Sequence, residues 1–325
     1  MQISHDHIAE LASGLGFDAC GIAPAGRVDE RSAATFHQWI ADGCNGAMDY
    51  MARNDDKRLD PRLLLPGAQS VVALAMSYAP AQPLADGQLQ FAYYAYGRDY
   101  HEVVKERLFK LRDALVEATG ADADADFKLC CDTVPILDRY WAWRAGLGWA
   151  GKNTNLIVPG VGSYVFLAEI VTTLPADRYD APMEERCGQC TRCLEACPTH
   201  ALHAPHRLDA RRCLSYLTIE HRGPIPPEAE RCMDDCIYGC DRCQKACPHN
   251  RKARPTTIEE FLPNERFRSM RPEDYAQLSL EDFRDIFRHS AVKRTKYEGL
   301  VRNIQSAMNG SAPSSCENVG EANEK

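Results

Sequence analysis

Apolar residues recur along this chain with two periods, and the alternation between them outlines a domain. Between Ser4 and Gly16, residues Ile8, Leu11 and Leu15 share one helical face, with Ser4 placed to cap the start and Gly16 to stop it. Phe17 to Ala23 then reads as a buried strand. A second helix is predicted after Asp29, burying Phe36, Trp39 and Ile40 and ending at Gly43. From Arg53 to Ala68, charges are mixed with Pro61, Pro66 and Gly67, which predicts an extended connection that delivers Lys57, Arg58 and Arg62 to a loop before a strand over Ser70 to Ser77.

The helical period returns at Glu102 to Thr119, where Val104, Leu108, Leu111 and Leu115 line one face and Gly120 ends it. Just before it, F-A-Y-Y-A-Y-G-R-D-Y-H (Phe91 to His101) places four tyrosines and a histidine at the helix start. Short strands are predicted at Phe127 to Cys131, Asn155 to Val158 and Ser163 to Thr172, completing an α/β domain that ends near Asp180. Several links are too short for right-handed crossovers, so a mixed sheet is expected. Beyond Arg251 the pattern is of short polar helices to Asn309, one of them opened by Thr257 and another by a Ser279/Asp282 capping box, and the last sixteen residues have the composition of a disordered tail.

Composition changes this picture in one place. Ten of the fifteen cysteines fall between Cys187 and Cys247. They include C-G-Q-C-T-R-C-L-E-A-C-P (Cys187, Cys190, Cys193, Cys197) and C-D-R-C-Q-K-A-C-P (Cys240, Cys243, Cys247). Three cysteines two residues apart, then a fourth before proline, is the two-cluster ferredoxin run, in which the fourth cysteine serves the opposite cluster. The first [4Fe-4S] cluster is therefore expected on Cys187, Cys190, Cys193 and Cys247, and the second on Cys240, Cys243 and Cys197 with one further ligand. A perfect repeat would put that ligand at position 237, which is Ile237, so Cys236 and Cys213 both stand as candidates. Structural zinc sites also use C-x-x-C pairs, but they seldom need this triple spacing. Cys20, Cys44, Cys130 and Cys131 read as buried residues, while Cys232 and Cys316 have no assigned role.

The expected organisation is thus 1–180, 181–250 as a two-cluster domain, 251–309 as a helical basic segment, and a tail over 310–325. The first twenty residues lack an apolar signal core, and the run Leu156 to Ala168 is broken by Pro159 and two glycines. It falls well short of the roughly 18 apolar residues of a membrane helix. A cytoplasmic protein with no membrane partner, monomeric, is expected. The formal charge of -8 disfavours nucleic-acid binding by the whole surface, yet Arg288 to Arg302 holds five Lys or Arg against one acid. Lys293, Arg294, Lys296 and Arg302, with Arg139 as a second patch, are the candidate phosphate contacts.

Two clusters form an electron relay, and a relay needs a terminus. A ferredoxin-type carrier would not need the large preceding domain, so an enzyme with a further cofactor is favoured. No G-x-G-x-x-G follows a strand, which weakens a dinucleotide reading.

The stretches R-L-D-P-R-L-L-L-P-G-A, Y-G-R-D-Y-H, D-T-V-P-I-L-D-R-Y-W-A-W-R-A-G-L-G-W-A-G-K-N-T, R-R-C-L-S-Y-L-T-I-E, I-Y-G-C-D-R-C-Q and S-A-V-K-R-T-K-Y-E-G-L-V-R-N resemble the cobalamin-dependent epoxyqueuosine reductases over nearly the whole chain. That family is similar to reductive dehalogenases in pairing base-off cobalamin with two [4Fe-4S] clusters, and its cobalamin domain is similar to nitroreductase-like folds. The resemblance implies reduction of epoxyqueuosine to queuosine at the wobble position of tRNA, fed by an external electron donor. A small-molecule dehalogenase-like enzyme is the alternative.

Residue by residue, the resemblance places the proton donor on Asp132 and the missing cluster ligand on Cys213. Cobalamin contacts fall near Arg58, Tyr96, Gly97, Lys152, Asn153 and Ser215. An aspartate shielded by aromatic residues is expected to have its pKa raised by desolvation and to stay protonated. Without the resemblance, Asp132 reads as a turn-capping residue ahead of Thr133 and Pro135. The sequence departs from the family in carrying the additional Cys232 and Cys236, and in continuing only as a short polar tail where many members enter helical HEAT-like repeats.

Overall fold

The computed structural model describes residues 1–310, so the predicted tail and Cys316 lie outside the described residues. The N-terminal half comprises helices α1 (His5–Gly14), α2 (Glu30–Ala41), α3 (Asp55–Leu59), α4 (Tyr100–Thr119) and α5 (Asp138–Arg144). Its strands are β1 (Ala19–Pro24), β2 (Ser70–Ser77), β3 (Gln90–Phe91), β4 (Phe127–Cys130), β5 (Trp149–Ala150), β6 (Leu156–Ile157) and β7 (Val165–Thr172). The C-terminal half holds α6 (Arg192–Glu195), β8 (Leu202–Ala204), β9 (Arg207–Leu208), α7 (Leu214–Ile219), α8 (Pro227–Glu230), β10 (Cys236–Tyr238) and α9 (Arg242–Lys245), then α10 (Glu265–Ser269), α11 (Pro272–Ala276), α12 (Leu280–Ile286) and α13 (Lys296–Gly310).

The central sheet has the order β1-β2-β7-β4 and is antiparallel at every pairing. Both β2 and β4 oppose β7, so they run in the same direction with β7 between them. Together with α4 they form a split β-α-β unit, which explains why helix and strand signals alternate although neighbours in the sheet are antiparallel. Parallel pairing is found instead in the separate ribbon of β3 with β10.

All eight residues of β2 are buried, and alternate side chains serve two layers. Val72, Leu74 and Met76 pack with Ile8 and Ala12 of α1 and Val104, Leu108 and Leu111 of α4. Val71, Ala73 and Ala75 pack with Trp141 and Ala142 of α5. Two side-chain caps start helices where the sequence indicated, Asp29 accepting from Ser32 N at 2.9 Å and Ser279 and Asp282 forming a reciprocal box, and Asp99, accepting from His101 N at 3.0 Å, starts α4 ahead of the predicted Glu102. Other expectations change. The Ser4 side chain makes no cap bond to α1, and the 3-10 turn Glu259–Phe261 follows Ile258 without a side-chain cap. Residues Phe36, Trp39 and Ile40 of α2 are only half-buried, and Arg53 to Ala68 is not extended. Asp60 accepts from Arg62 N and pairs with its guanidinium at 2.7 Å, holding a 3-10 turn behind α3.

A third core joins segments far apart in sequence. Phe91 and Tyr96 meet Tyr216 and Leu217 of α7, Tyr238 of β10, and Phe267, Phe283 and Phe287 from the C-terminal helices. Residues 251–309 therefore share one interior with the cysteine-rich region and do not form an appendage. Asn303 on α13 is fully buried and ties the three elements together, donating to Thr218 O at 2.7 Å and Ile237 O at 2.9 Å. Replacing it with alanine strands two buried carbonyls. Asn303→Ala is expected to lower unfolding stability by about 1–3 kcal/mol, read as a lower denaturant midpoint with unchanged slope.

Candidate active site and cluster ligands

The two C-x-x-C helices α6 and α9 pack against each other, and the cysteines around them sort into two groups. Cys193 lies within electrostatic reach of Cys247, Cys187 and Cys190, and Cys247 of Cys187 and Cys190. Cys213 faces Cys240 and Cys197, and Cys243 faces Cys240, Cys213 and Cys197. The last cysteine of each run thus stands in the other run's group. Burial, followed by the neighbouring Cys240 charge, raises the Cys213 thiol to about 12, opposed by backbone N–H groups of Ser215 and Tyr216 at the start of α7. Among the described residues no three His, Cys, Asp or Glu side chains gather closely enough for a single ion. A cubane is larger than one ion and holds its four thiolates apart at its corners.

Cys236 is buried beside the second group, donating to Gly239 O at 2.7 Å and hydrogen-bonded to Cys240. Lys152 clasps the first cysteine loop through Gly188 O at 2.6 Å and Cys190 O at 3.1 Å. Ser215 sits half-buried in α7, its N–H directed to Cys213.

The second constellation surrounds Asp132, just past the end of β4. Its φ is +56°, a left-handed conformation unusual for a residue with a side chain, and Thr133 N closes back on Cys131 O at 2.6 Å. The turn presents the carboxyl to the first turn of α4. Tyr100 OH donates to Oδ2 at 2.8 Å, and His101 Nε2 meets the same oxygen at 2.9 Å. The other ring nitrogen of His101, Nδ1, contacts Asp99 Oδ1 at 2.8 Å. Asp99 is also the helix cap, so one side chain orders the helix start and aims the imidazole.

With a carboxylate on each ring nitrogen, the imidazolium is the form that satisfies both. Burial pulls the His101 pKa down, but bonds to Asp132 and Asp99 more than offset this and raise it to about 9. At Asp132 burial pushes upward and is outweighed by the bonds from His101 and Tyr100 and the charges of His101 and Arg294, so its pKa lies below the usual value. The expectation of a protonated Asp132 is therefore reversed. Desolvation is present, but the proton it would retain belongs to His101.

Asp132 is 60% exposed although protein surrounds it, which places it on the wall of an open concavity. Tyr50, Arg58 and Arg294 lie within electrostatic reach. Arg58 is buried, donates to Tyr50 O at 3.1 Å and keeps Nε unpartnered. Asn153 is buried too, with Nδ2 unpartnered. Tyr96 and Gly97 do other work. Tyr96 is 3% exposed, with its hydroxyl accepting from Leu84 N and its ring against Phe267. A Cβ on Gly97 would meet Glu260 O at 2.2 Å, so this glycine permits close backbone packing.

Of the basic candidates, Lys293, Arg294, Lys296 and Arg139 are exposed. Arg294 forms a two-pronged pair with Glu220, both bonds at 2.9 Å, beside Tyr50, and Arg139 reaches Thr154 O at 2.7 Å. Arg302 turns inward, its guanidinium donating to the carbonyls of Leu217, His221 and Gly223, which removes it from the phosphate-contact set. Sequence reasoning missed Tyr50, Asp99, Tyr100 and His101. The signal was D-Y-H at a helix start, where a capping aspartate two residues before a histidine can hold both backbone and ring.

Residues 58–133 match the family model described as Epoxyqueuosine reductase QueG, DUF1730, and residues 186–250 match the 4Fe-4S double cluster binding domain. An epoxyqueuosine reductase of Leadbetterella byssophila is 44% identical over 297 residues, covering 91% of this chain and 96% of that protein. The chain belongs to the epoxyqueuosine reductase family. It is accordingly an oxidoreductase.

Among solved members of the family, a crystal structure of epoxyqueuosine reductase with an epoxyqueuosine-modified tRNA-Tyr stem loop is 32% identical, with a TM-score of 0.85 covering 94% of this chain and 80% of that one. A Bacillus subtilis epoxyqueuosine reductase whose catalytic loop is swung out of the active site is 30% identical, with a TM-score of 0.83 covering 94% of this chain and 81% of that one. The QueG-matched region ends one residue past Asp132, and the double-cluster region contains every grouped cysteine. Among the described residues no helix is long and apolar enough to cross a membrane.

Because the folded-state pKa of His101 is raised, its contribution to stability is complete below the unfolded value near 6.5 and is lost as pH rises through about 9. Across that window wild type is expected to lose on the order of 1–3 kcal/mol more unfolding stability than His101→Asn, as measured by denaturant titration at each pH.

Proposed function

We propose that this chain reduces the epoxide of epoxyqueuosine, in the anticodon loop of a tRNA, to the cyclopentene of queuosine, and that Asp132 delivers a proton to the departing oxygen. The reaction takes up two electrons and two protons and releases water. The observation that carries the reading is the Asp132 turn itself, strained into the left-handed region, with Tyr100 and His101 both bonded to one oxygen. Strain of this kind is kept where a side chain must point at a reactant.

The cysteine groups fit two [4Fe-4S] clusters, one on Cys187, Cys190, Cys193 and Cys247 and the other on Cys197, Cys213, Cys240 and Cys243. Cobalamin would be held beside Asp132 by Arg58, Lys152, Asn153 and Ser215. The unpartnered Arg58 Nε and Asn153 Nδ2 are donors with capacity to spare. When bound, the clusters pass single electrons from an external donor and cobalamin performs the reduction of the epoxide.

The residues of this chain manage the proton and the substrate. His101 holds the proton at neutral pH, Asp99 keeps the ring in place, and Tyr100 fixes the Asp132 rotamer. Among the described residues Oδ1 of Asp132 accepts no hydrogen bond, leaving it free for the substrate. As the epoxide oxygen gains negative charge its basicity rises, and it draws the proton from His101 through Asp132. Lys293, Arg294 and Lys296 supply phosphate contacts beside the site, since the charge of Arg294 already reaches Asp132. The target base is single-stranded in its loop, so turning it into the concavity costs little.

Asp132→Asn is expected to lower turnover of epoxyqueuosine-containing tRNA by about 10²–10⁴-fold with iron content unchanged; full turnover would refute the donor assignment. Cys213→Ala should reduce iron from about eight to about four per chain after anaerobic purification, whereas Cys236→Ala should retain it. Lys293→Ala with Lys296→Ala should weaken tRNA binding and reduce its salt slope by about 1 to 2, with turnover of saturating tRNA preserved.

A further inference from the structure

One acidic group in the interior has no part in the chemistry above. Glu169, in the middle of β7, is fully buried in the layer formed by Ala73, Trp141 and Val171, opposite Cys130 in the β4 register. Neither of its carboxyl oxygens meets an N–H or hydroxyl donor among the described residues. Its hydrogen-bonding partner is the carboxyl of Asp138 at the start of α5, whose Oδ1 is likewise without any such donor. Two ionised carboxylates are acceptors only and cannot bond to one another, so the pair must carry a proton. Leaving both charged in this layer would be prohibitively costly.

The pair extends from the dry interior to the active-site concavity. Glu169 is closed off, whereas Asp138 is half-exposed and lies within electrostatic reach of Asp132. The charges facing the pair are the cations Arg58 from α3 and Arg139 from α5, the anion Asp132 and Lys128; Cys130 and Cys131 are the neighbouring thiols. Ionised Asp132 favours retention of the shared proton, and protonated Asp132 weakens that hold.

We propose that Glu169 and Asp138 share one proton and that this pair is the reserve from which Asp132 is recharged for the second of the two protons the reaction consumes. The inference rests on the reaction assigned above. The balance is simple: the His101–Asp132 pair gives one proton as the C–O bond opens, the oxygen leaves as water once a second arrives, and the Glu169–Asp138 pair passes that one through water in the concavity. As that proton leaves, the half-exposed Asp138 takes another from solvent, so the pair is never left as two carboxylates. Glu169 touches neither substrate nor cofactor and acts through Asp132. Burial, then the Asp138 charge and bond, raise Glu169 well above an ordinary carboxyl, and burial with the Asp132 charge raises Asp138 to about 6.

The test combines a spectrum with a pH profile on the full chain, purified anaerobically with its clusters. Infrared difference spectra of protein carrying carboxyl-labelled Glu should show a protonated-carboxyl stretch at neutral pH that shifts with the label and is absent from Glu169→Gln. In turnover, Glu169→Gln should match wild type in acid, where solvent protons are plentiful, and fall about tenfold below it in alkali. Asp138→Asn should lose the same alkaline limb and serves if Glu169→Gln does not fold. No labelled band in wild type, or superimposable pH profiles for wild type and the variant, would overturn the proposal. A wild type with the band but no reduction of epoxyqueuosine would overturn the assigned reaction and with it the reserve, leaving the shared proton standing.

Discussion

The β4–β7 ladder ends where Cys130 lies opposite Glu169, and the placement of the chemistry depends on that ending. Two residues later the chain turns left-handed at Asp132, and the carboxyl is thrown toward the N-terminus of α4. The helix crosses between β2 and β4 because β7 is inserted between those strands. Its first turn thereby arrives beside the end of the sheet with Tyr100 and His101 exposed to the turn. The same inserted strand supplies Glu169 on the opposite layer. The split β-α-β arrangement thus sets two acidic sites close together, one open to the concavity and the other sealed within the sheet's second layer.

Electrostatics then divides their roles. Asp132 is bonded by a hydroxyl and an imidazolium, so it rests ionised with a proton nearby on His101. Glu169 has only another carboxyl for company, and burial with that neighbour raises its pKa well above the ordinary value. Both carboxyl groups experience desolvation, and the partners decide opposite outcomes. The cluster region is bound to this arrangement through a common interior, since β3 pairs with β10 and Asn303 bridges α13, α7 and β10. The cysteine-rich region and the N-terminal domain are thereby packed together.

Much of this was legible in the chain. The strand Ser70 to Ser77 emerged with its predicted bounds, because an unbroken apolar run between charged and turn-forming segments has few other folds available. The cap at Ser279 and Asp282 and the left-handed stops at Gly43 and Gly120 were local decisions, written in adjacent residues. Arg302 was misread because a positive charge in sequence does not reveal whether its hydrogen bonds go to phosphate or to three carbonyls brought in from α7 and the chain beyond it. Tyr96 and Gly97 show a related ambiguity, since an aromatic next to a glycine serves equally as a ligand contact or as a packing joint.

The sequence by itself determined the elements, the cysteine spacing and the family, because each is encoded within a short window by periodicity, capping or motif. It left Cys213 and Cys236 both open on spacing alone, and it could not say which acid would hold a proton. Tertiary structure supplies the neighbours on which those points turn. Pairing β7 between β2 and β4 is a long-range event that sets Glu169 against Asp138 and His101 against Asp132, and a carboxyl's proton affinity depends on such neighbours more than on its own identity.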